Sequence, residues 1–239
     1  MAQQHRTVSR VLRILEAAAT SEDGITLAGL ATELDSPKTS VHGFVKGLVA
    51  EGYLTEGGGR YFLGPALGAL MPDASATLSR YALPLMRELR DEVGETVTLA
   101  VRVGDSLVNT ESVRSENVIG YSAPLQLRRP LWPTSAGKVF LSADPHARAT
   151  LERMLTAGPE YPVPDLDAEV LPELATIART GIAHNRGETV GDVSAAAVGL
   201  RRAGRLVAVL SIAGPRERLG PRLDEVGELL RARLDRAER

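Results

Sequence analysis

Several side chains near the amino end that could do chemistry are hydrogen-bond donors at helical spacing. The segment SPKTSVHGFVKGLVA, residues 36–50, contains two lysines, a histidine and three hydroxyl side chains but no carboxylate. Donors of these types bond to base edges and phosphate oxygens of DNA. We therefore predict a DNA-contacting surface in which four side chains read bases: Lys38, Thr39, Ser40 and His42. For His42, an ordinary surface or core-edge histidine is the alternative interpretation.

Three further cations are assigned to the DNA backbone rather than to the bases. Arg10, Lys46 and Arg60 carry full charges that suit phosphate oxygens, although Arg60 is alternatively a solvated surface charge. The local charge balance argues against strong binding, because residues 1–64 contain six Lys or Arg and seven Asp or Glu. We therefore expect modest, salt-sensitive affinity per subunit and a need for oligomerisation.

A capped amphipathic helix is expected to present the donors. Ser36 is predicted to cap this helix, Pro37 to occupy its first position and Gly52 to end it. Its apolar positions recur at three- and four-residue spacing: Val41, Phe44, Val45, Leu48 and Val49. Upstream, Thr26 is predicted to cap a second short helix ending near Leu34, and the brief turn between the two indicates a helix-turn-helix. An ordinary helical hairpin in a globular core is the alternative.

Flanking segments are predicted to complete a three-helix unit with a wing. Residues 7–19 have an apolar stripe at helical spacing, which would leave Arg6, Arg10 and Arg13 towards solvent or phosphate. The stripe consists of Val8, Val11, Leu12, Leu15 and Ala19. Residues 53–55 and 61–63 are typical of two short strands around a glycine-rich loop, which would form the wing.

Composition indicates a globular chain of two domains. It has 239 residues, a formal net charge of −2 and no cysteine, which excludes disulfides, thiolate metal sites and cysteine nucleophiles. No run approaches the roughly 18 consecutive apolar residues that span a bilayer. The amino terminus leads into an amphipathic helix instead of an apolar signal core, so we expect a cytoplasmic protein.

The domain boundary is predicted in a segment rich in glycine, alanine and proline, residues 64–80. A connecting helix is expected at about 66–71, and a further helix from Leu83 to Val93. Beyond it, strands, then helices, then strands and a last helix indicate an α+β fold with an antiparallel sheet. The predicted parts are a DNA-binding domain at 1–64, a linker helix at 65–80 and a second domain at 81–239.

A second chemical site is predicted at the start of a helix in the second domain. Ser135, Ala136 and Gly137 offer backbone N–H groups at the positive end of a helix dipole, which suits a carboxylate or other polar head group. Their small side chains would let a ligand approach the backbone. Tyr121 and Trp132 could accommodate an aromatic ring; both are alternatively core or interface residues.

Taken together, these motifs resemble the IclR family of bacterial transcriptional regulators over essentially the whole chain. The similar stretches are, in order, TVSRVLRILEA, SPKTSVHGFVKGLVAEGYL, YFLGPALGAL, GETVTLAV, PLWPTSAGKVFL, GDVSAAAV and VAVLSIAGP. The resemblance implies a winged helix-turn-helix domain joined by a linker helix to a GAF-like effector-binding domain. It also implies homodimers or homotetramers that bind palindromic operators and control catabolic or metabolic genes, more often as repressors.

The resemblance further implies where an effector would bind. Val118 and Tyr121 would form one wall, His184 would lie opposite, and Ser194 and Ser211 would lie on the closing strands. An apolar wall with a few convergent donors is typical of small-molecule sites. We expect the effector to be a small organic acid, an aromatic acid included, or a close neutral derivative.

Departures from the family pattern limit what can be inherited. Members often have arginine where this chain has Gly43, so one groove contact is missing and we expect an atypical half-site. Some members have an acidic residue at the position of His184, and cysteine is common at that of Ser194. Because these changes fall in the implied pocket, the identity of the effector cannot be transferred from the family.

The sequence carries no catalytic signature. It lacks the G-x-S-x-G, H-E-x-x-H and Walker motifs, and its four histidines are too scattered to suggest a metal cluster. We therefore predict no enzyme activity, no metal, no cofactor and no membrane partner. The competing hypothesis is a small-molecule-sensing interaction module without sequence-specific DNA binding.

Overall fold

The computed structural model describes residues 6–21, 23–67 and 74–237, with only the backbone for 74–77. The chain divides into two compact units, Met1–Leu78 and Ser79–Arg239. The predicted connecting helix at about 66–71 extends into residues 68–73, which lie outside the described residues. Within the described ranges, no helix is both long enough and apolar enough to cross a membrane.

The first unit is a winged helix-turn-helix. Its elements are α1 (Arg6–Thr20), β1 (Ile25–Thr26), α2 (Leu27–Glu33), α3 (Lys38–Ala50), β2 (Leu54–Gly57) and β3 (Arg60–Leu63). The strands form an antiparallel sheet in the order β1-β3-β2. Thr26 caps α2 by accepting a hydrogen bond from the Gly29 amide at 3.1 Å. The predicted cap of α2 and the helix-turn-helix are therefore confirmed.

Helix α3 begins differently from the prediction. Pro37 is its N-cap, with φ −56° and ψ 138°, and is not the first helical residue. The Ser36 hydroxyl donates to the Leu34 carbonyl oxygen at 3.0 Å, so it closes the turn after α2. The predicted Ser36 cap is wrong because a nearby backbone carbonyl competes for the same hydroxyl.

The buried face of α1 also differs from the predicted stripe. Ile14, Ala17 and Ala18 are buried in the core of this unit, whereas Val8 and Leu12 are 56% and 49% exposed. Small alanine side chains let a helix approach its neighbours closely, and the closest packing decides which face is buried. The predicted stripe is therefore correct for Val11 and Leu15, which pack against this core, and wrong for Val8, Leu12 and Ala19, which are exposed.

The long helix α4 (Ala74–Val93) contains the boundary between the units, and the second unit begins within it at Ser79. The sequence predicts a start at Leu83, with Pro84 in the first turn, but the helix begins earlier and continues through this proline. Its end agrees with the prediction. Gly94 has φ +81°, a conformation that favours glycine, and its N–H bonds to the Arg90 carbonyl oxygen at 2.7 Å.

A six-stranded antiparallel sheet forms the centre of the second unit, in the order β6-β5-β4-β9-β8-β7. The strands are β4 (Thr96–Val103), β5 (Ser106–Val113), β6 (Arg128–Pro130), β7 (Ile182–Asn185), β8 (Val193–Arg202) and β9 (Arg205–Pro215). The helices that follow α4 are α5 (Ser135–Ser142), α6 (Ala147–Thr156), α7 (Leu171–Thr180), α8 (Arg216–Leu219) and α9 (Leu223–Ala237). The predicted α+β fold class is confirmed.

Helices cover both faces of this sheet. Residues of α5, α6 and α7 share one apolar core with Ala183 of β7 and Ala197 of β8. The neighbouring residues Ile182 and Ala196 point to the other face, where they lie against Gly227 of α9. Because successive side chains of a strand alternate between faces, this packing decides which strand residues can approach the start of α5.

Candidate functional site

Helix α3 presents the predicted DNA contacts to solvent. Val41 and Val45 are fully buried in the core of the first unit, and Leu48 lies beside them. On the opposite side, every predicted contact of this helix is exposed: Lys38, Thr39, Ser40, His42 and Lys46. This outward surface therefore carries two ammonium groups, an imidazole and two hydroxyls on an element of the size that fits the major groove.

Two glycines share the outward surface of α3. An ideal Cβ added at Gly43 or Gly47 would meet no heavy atom within 4 Å among the described residues. Glycine in a helix interior costs roughly 0.5–1 kcal/mol relative to alanine. Packing within the first unit does not require glycine at either position, so this cost is not explained by the fold.

Arginine side chains outside α3 also bond within the first unit. The Arg60 guanidinium is exposed on the wing and donates from Nη1 to the Gly24 carbonyl oxygen at 2.9 Å. Arg13 donates from Nη2 to the Glu33 carbonyl oxygen at 2.7 Å, and Arg10 is half-buried on α1. Arg13 and Arg60 therefore brace the unit, which leaves less of their donor capacity for phosphate.

In the second unit, a narrow cavity of about 40 Å³ lies between the sheet and the start of α5. We call it the α5 cavity. Its walls come from segments far apart in sequence, from Thr98 on β4 to Ala213 on β9. Four of the predicted effector contacts line it: Tyr121, Ser135, Ala136 and Ser211.

The start of α5 supplies backbone donors to this cavity. Thr134 is the N-cap, and its Oγ1 accepts a hydrogen bond from the Gly137 amide at 3.0 Å. The first N–H groups of a helix have no intrahelical acceptor, so the amides of Ser135 and Ala136 remain to be satisfied from outside the helix. Together with the helix dipole, they favour a negatively charged group at this end of the cavity.

Hydroxyl side chains lie side by side on the sheet below α5. Thr98 of β4 pairs with Ser211 of β9 and with Ser112 of β5, so the three side chains share one face. Ser211 is 5% exposed, and within the described part of the chain neither its hydroxyl nor that of Ser112 has a hydrogen-bond partner. Because an unsatisfied buried hydroxyl costs about 1–3 kcal/mol, Ser211 is suited to receive a polar ligand atom.

A guanidinium group lies at the edge of the α5 cavity. Arg129 of β6 is half-buried and donates from Nη1 to the Tyr121 hydroxyl oxygen at 3.0 Å. Both side chains line the cavity. The site therefore combines a cation, an aromatic ring, helix-terminal amides and hydroxyls, a set of donors that suits a carboxylate group. At about 40 Å³ the cavity has room for only a few water molecules, so it would have to widen to enclose a whole organic acid.

Four predicted effector residues do not line the α5 cavity. Val118 is fully exposed on the loop before Tyr121, and the Gly137 amide is used by the Thr134 cap. Ser194 lies near Gly220 on the face of the sheet away from α5, and His184 lies near Gly227 of α9 on that same face. Trp132, predicted as a possible aromatic contact or core residue, is buried in the core.

The surroundings of His184 favour the neutral form of its imidazole. Burial lowers its pKa below 6.5, and the positive charge of Arg186 lowers it further, while Asp224 opposes the change. Its Nε2 lies 3.5 Å from a carboxylate oxygen of Asp224. This imidazole therefore belongs to the packing between the sheet and α9.

Sequence reasoning missed the polar residues that shape the rim of the α5 cavity. Asn185 donates from Nδ2 to the Pro133 carbonyl oxygen at 2.9 Å and accepts from the Gly187 amide at 3.1 Å. Asn109 similarly donates to the Pro124 carbonyl oxygen at 3.2 Å. Asparagine is depleted in strands, so its presence on β5 and β7 was an available signal.

Comparison with known proteins matches a family model to each of the two units. Residues 7–58 match the family model of the IclR helix-turn-helix domain, and residues 74–237 match that of the bacterial transcriptional regulator IclR C-terminal region. The chain is 28% identical over 195 residues to the HTH-type transcriptional regulator TtgV of Pseudomonas putida, covering 79% of this chain and 73% of that protein. It is 29% identical over 147 residues to the transcriptional repressor IclR of Escherichia coli. That match covers 58% of this chain and 53% of the repressor, about half of its length.

A solved structure extends the likeness over the whole chain. The crystal structure of an IclR homologue from Microbacterium hydrocarbonoxydans, complexed with 4-hydroxybenzoate, superposes with a TM-score of 0.76 at 25% identity and covers 97% of both chains. The two matching family models together span most of the sequence, in the order that its motifs predicted. This chain therefore belongs to the IclR family of bacterial transcriptional regulators, and it is not an enzyme.

Proposed function

We propose that this regulator is a repressor that binds palindromic operator DNA as a homodimer or homotetramer and responds to a small organic acid or a close derivative. The observation that carries the proposal is the pairing of an outward, carboxylate-free surface on α3 with a polar cavity at the start of α5. The first supplies donors for DNA and the second supplies donors for an acid.

The chemistry of the α5 cavity supports an acid in particular. Its carboxylate would accept from the amides of Ser135 and Ala136 and interact with the charge of Arg129. A second polar group at the other end would satisfy the Ser211 hydroxyl. The homologue complexed with 4-hydroxybenzoate makes an aromatic hydroxy acid the first compound to test.

For DNA binding, the low charge of the first unit supports a requirement for more than one subunit. Two recognition helices on one operator would add their modest affinities through the high effective concentration of the second. We assign the DNA-binding domain to residues 1–64, the linker to 65–80 and the effector domain to 81–239. The linker would set the spacing of two α3 helices against half-sites one helical turn or a multiple apart.

The effector acts by binding one arrangement of subunits better than another, since a ligand shifts an equilibrium only through such a difference. Fluorescence anisotropy of the full chain with its own upstream promoter DNA tests the proposal, with a random duplex as control. We expect preferential binding to promoter DNA that weakens with salt, and a change in affinity on adding an acid. Equal affinity for both duplexes would favour the sensing module without sequence-specific DNA binding.

Calorimetry tests the location of the effector separately. A tryptophan at Ser135 would fill the α5 cavity, so Ser135→Trp is expected to abolish binding of an acid that binds the unmodified chain. Ser122→Trp serves as the control, because Ser122 is exposed and can carry a tryptophan without disturbing packing. Ser194→Trp would not be suitable, because Ser194 is buried on the other face of the sheet. Unchanged binding to Ser135→Trp would remove the effector from this cavity.

A further inference from the structure

Helix α5, whose first residues line the α5 cavity, carries a buried lysine. Lys138 is one helical turn after Ser135, and its side chain is only 2% exposed. An ammonium group removed from water is costly unless it is paired with charge and hydrogen bonds. The contacts that Lys138 makes therefore show which segments depend on it.

The Lys138 ammonium bonds to three oxygen atoms. Nζ donates to Glu173 Oε1 at 2.8 Å, to Glu188 Oε1 at 2.7 Å and to the His184 carbonyl oxygen at 3.0 Å. An ammonium has three N–H bonds, so these acceptors use its full donor capacity. The same group lies 5.0 Å from the centre of the Trp132 ring, which adds a cation–π contact.

The two carboxylates belong to different kinds of segment. Glu173 is in helix α7, whereas Glu188 is in the loop of residues 186–192 between β7 and β8, which we call the 186–192 loop. This loop contributes Thr189 to the α5 cavity. Its later part is held by Arg216, whose backbone N–H bonds to the Asp192 carbonyl oxygen at 2.7 Å. Glu188 ties the earlier part to α5.

We infer that Lys138 is a positioning residue that holds the 186–192 loop at the α5 cavity through Glu188. The inference rests on the proposed function, because holding this loop matters to regulation only if the cavity receives an effector. Lys138 itself does not line the cavity. It acts by keeping Thr189 in place at the α5 cavity, which Ser135 and Ala136 also line, so that binding does not carry the cost of ordering the loop.

The two carboxylates provide a matched pair of variants. The side chains of Glu173 and Glu188 are 38% and 39% exposed, and each accepts one bond from the same ammonium. Glu188 also accepts a bond from the Arg186 amide within the loop, so a third variant, Lys138→Met, removes the ammonium while leaving that bond in place. Glu188→Gln removes the charge that holds the loop, and Glu173→Gln removes an equivalent charge from a helix. Both changes keep side-chain size, and both positions are partly exposed, so we expect each variant to fold.

Hydrogen exchange of the full-length chain without effector measures the loop directly. We expect Glu188→Gln to speed amide exchange at residues 186–192 by roughly tenfold, because local opening becomes easier while the rest of the unit is unchanged. Glu173→Gln is expected to leave exchange in this loop within about twofold of the unmodified chain. Calorimetry with 4-hydroxybenzoate, benzoate and lactate as probes is expected to show weaker binding for Glu188→Gln than for Glu173→Gln.

Each result has a distinct meaning. Faster loop exchange in both Glu188→Gln and Lys138→Met but not in Glu173→Gln, with an unchanged unfolding midpoint, supports the inference over a general loss of stability. Faster exchange in Glu188→Gln but not in Lys138→Met would assign the effect to the Arg186 amide bond and overturn the inference. Unchanged loop exchange in Glu188→Gln, or an equal increase in Glu173→Gln, would overturn it. An unmodified chain that binds none of the three acids would argue against the proposed effector class, while loop exchange would still decide whether Lys138 holds the loop.

Discussion

The outward surface of α3 and the α5 cavity are assembled in opposite ways. The predicted DNA-contacting donors of α3 lie within residues 38–46 of a single helix, and all are exposed. The walls of the α5 cavity come from strands, loops and a helix start between Thr98 and Ala213, and several are buried. A surface made by one helix tolerates local change, whereas a cavity made by many segments depends on their mutual packing.

The space around individual glycines also differs between α3 and the α5 cavity. Gly43 and Gly47 of α3 have open space where a Cβ would be, within the described residues. At Gly137 of α5, a Cβ would lie 1.8 Å from the Leu131 carbonyl oxygen. Glycine is therefore required by packing in the cavity helix and not in α3. The following predictions test this difference between the two regions.

Gly137→Ala is expected to have the largest effect. The added methyl group would overlap backbone atoms of Leu131, which can move only together with the segment that leads into α5. Such overpacking costs about 1–3 kcal/mol and more against backbone, so we expect about 3 kcal/mol less free energy of unfolding and loss of acid binding. Urea denaturation measures the free energy of unfolding. Gly191→Ala is the control, because a Cβ at Gly191 would meet nothing within 4 Å among the described residues. Unchanged stability would contradict the close packing.

Lys38→Ala and Thr39→Ala are expected to weaken binding to promoter DNA by about 10- to 100-fold, the range for loss of a good base contact. Binding to a random duplex should fall less, because non-specific binding depends on phosphates. Anisotropy titrations of both duplexes at one salt concentration provide the measurement. Equal losses on the two duplexes would show that this surface of α3 does not read bases.

Ser211→Ala separates binding from stability in the α5 cavity. Removing a buried hydroxyl that has no partner in the described structure is expected to leave the free energy of unfolding unchanged or to raise it by up to about 1 kcal/mol. Binding of the acid is expected to weaken by roughly tenfold, the usual effect of one lost hydrogen bond. Ser194→Ala, on the opposite face of the sheet, is the matched control. Calorimetry showing equal weakening in both variants would contradict the assignment of faces.

Gly43→Ala and Gly47→Ala are expected to stabilise the first unit. Neither added methyl group meets a neighbour among described residues, and alanine is favoured over glycine in a helix by up to about 1 kcal/mol. Thermal unfolding of the full chain should therefore show a higher midpoint for the transition of the first unit. A lower midpoint in either variant would show that this surface of α3 is packed, which would break the contrast with Gly137.

The smallest expected effect is a pH dependence confined to the second unit. Burial and Arg186 lower the folded-state pKa of His184 below its unfolded value of about 6.5, so the unfolded chain binds the proton more readily. The stabilisation is therefore complete above pH 6.5 and is lost as pH falls through the folded-state pKa. Urea midpoints at pH 7.5 and 5.5 measure this loss, which His184→Gln should reduce. The same loss in His184→Gln would assign it to other groups.

Much of the fold could be predicted because its signals are local. Thr26 caps α2 as predicted, since Gly29 follows at the spacing of one helical turn. Four apolar residues of the last helix recur at three- and four-residue spacing and are buried, as that spacing indicates: Leu223, Val226, Leu230 and Leu234. The prediction for α1 was wrong at Val8 and Leu12, because the choice between a stripe of large residues and a face containing alanines depends on the neighbouring elements.

The candidate cavity was predicted less completely because strand residues alternate between two faces. In β8, Ser194 and Ala196 form one set and Ala195 and Ala197 the other, and both sets are small. No difference in hydrophobicity therefore indicates which set faces α5. Arg129, on the short edge strand β6, gave no periodic signal at all.

The sequence by itself determined the identity of the family, the outward surface of α3 and the order of the main elements. These depend on contacts three or four residues apart, on turns and on motif order, all of which can be read along the chain. Only the tertiary structure decided that Ser211, and not Ser194 or His184, faces the start of α5, and that Lys138 bonds to the 186–192 loop. The physical reason is that pairing between distant strands fixes which face each side chain occupies.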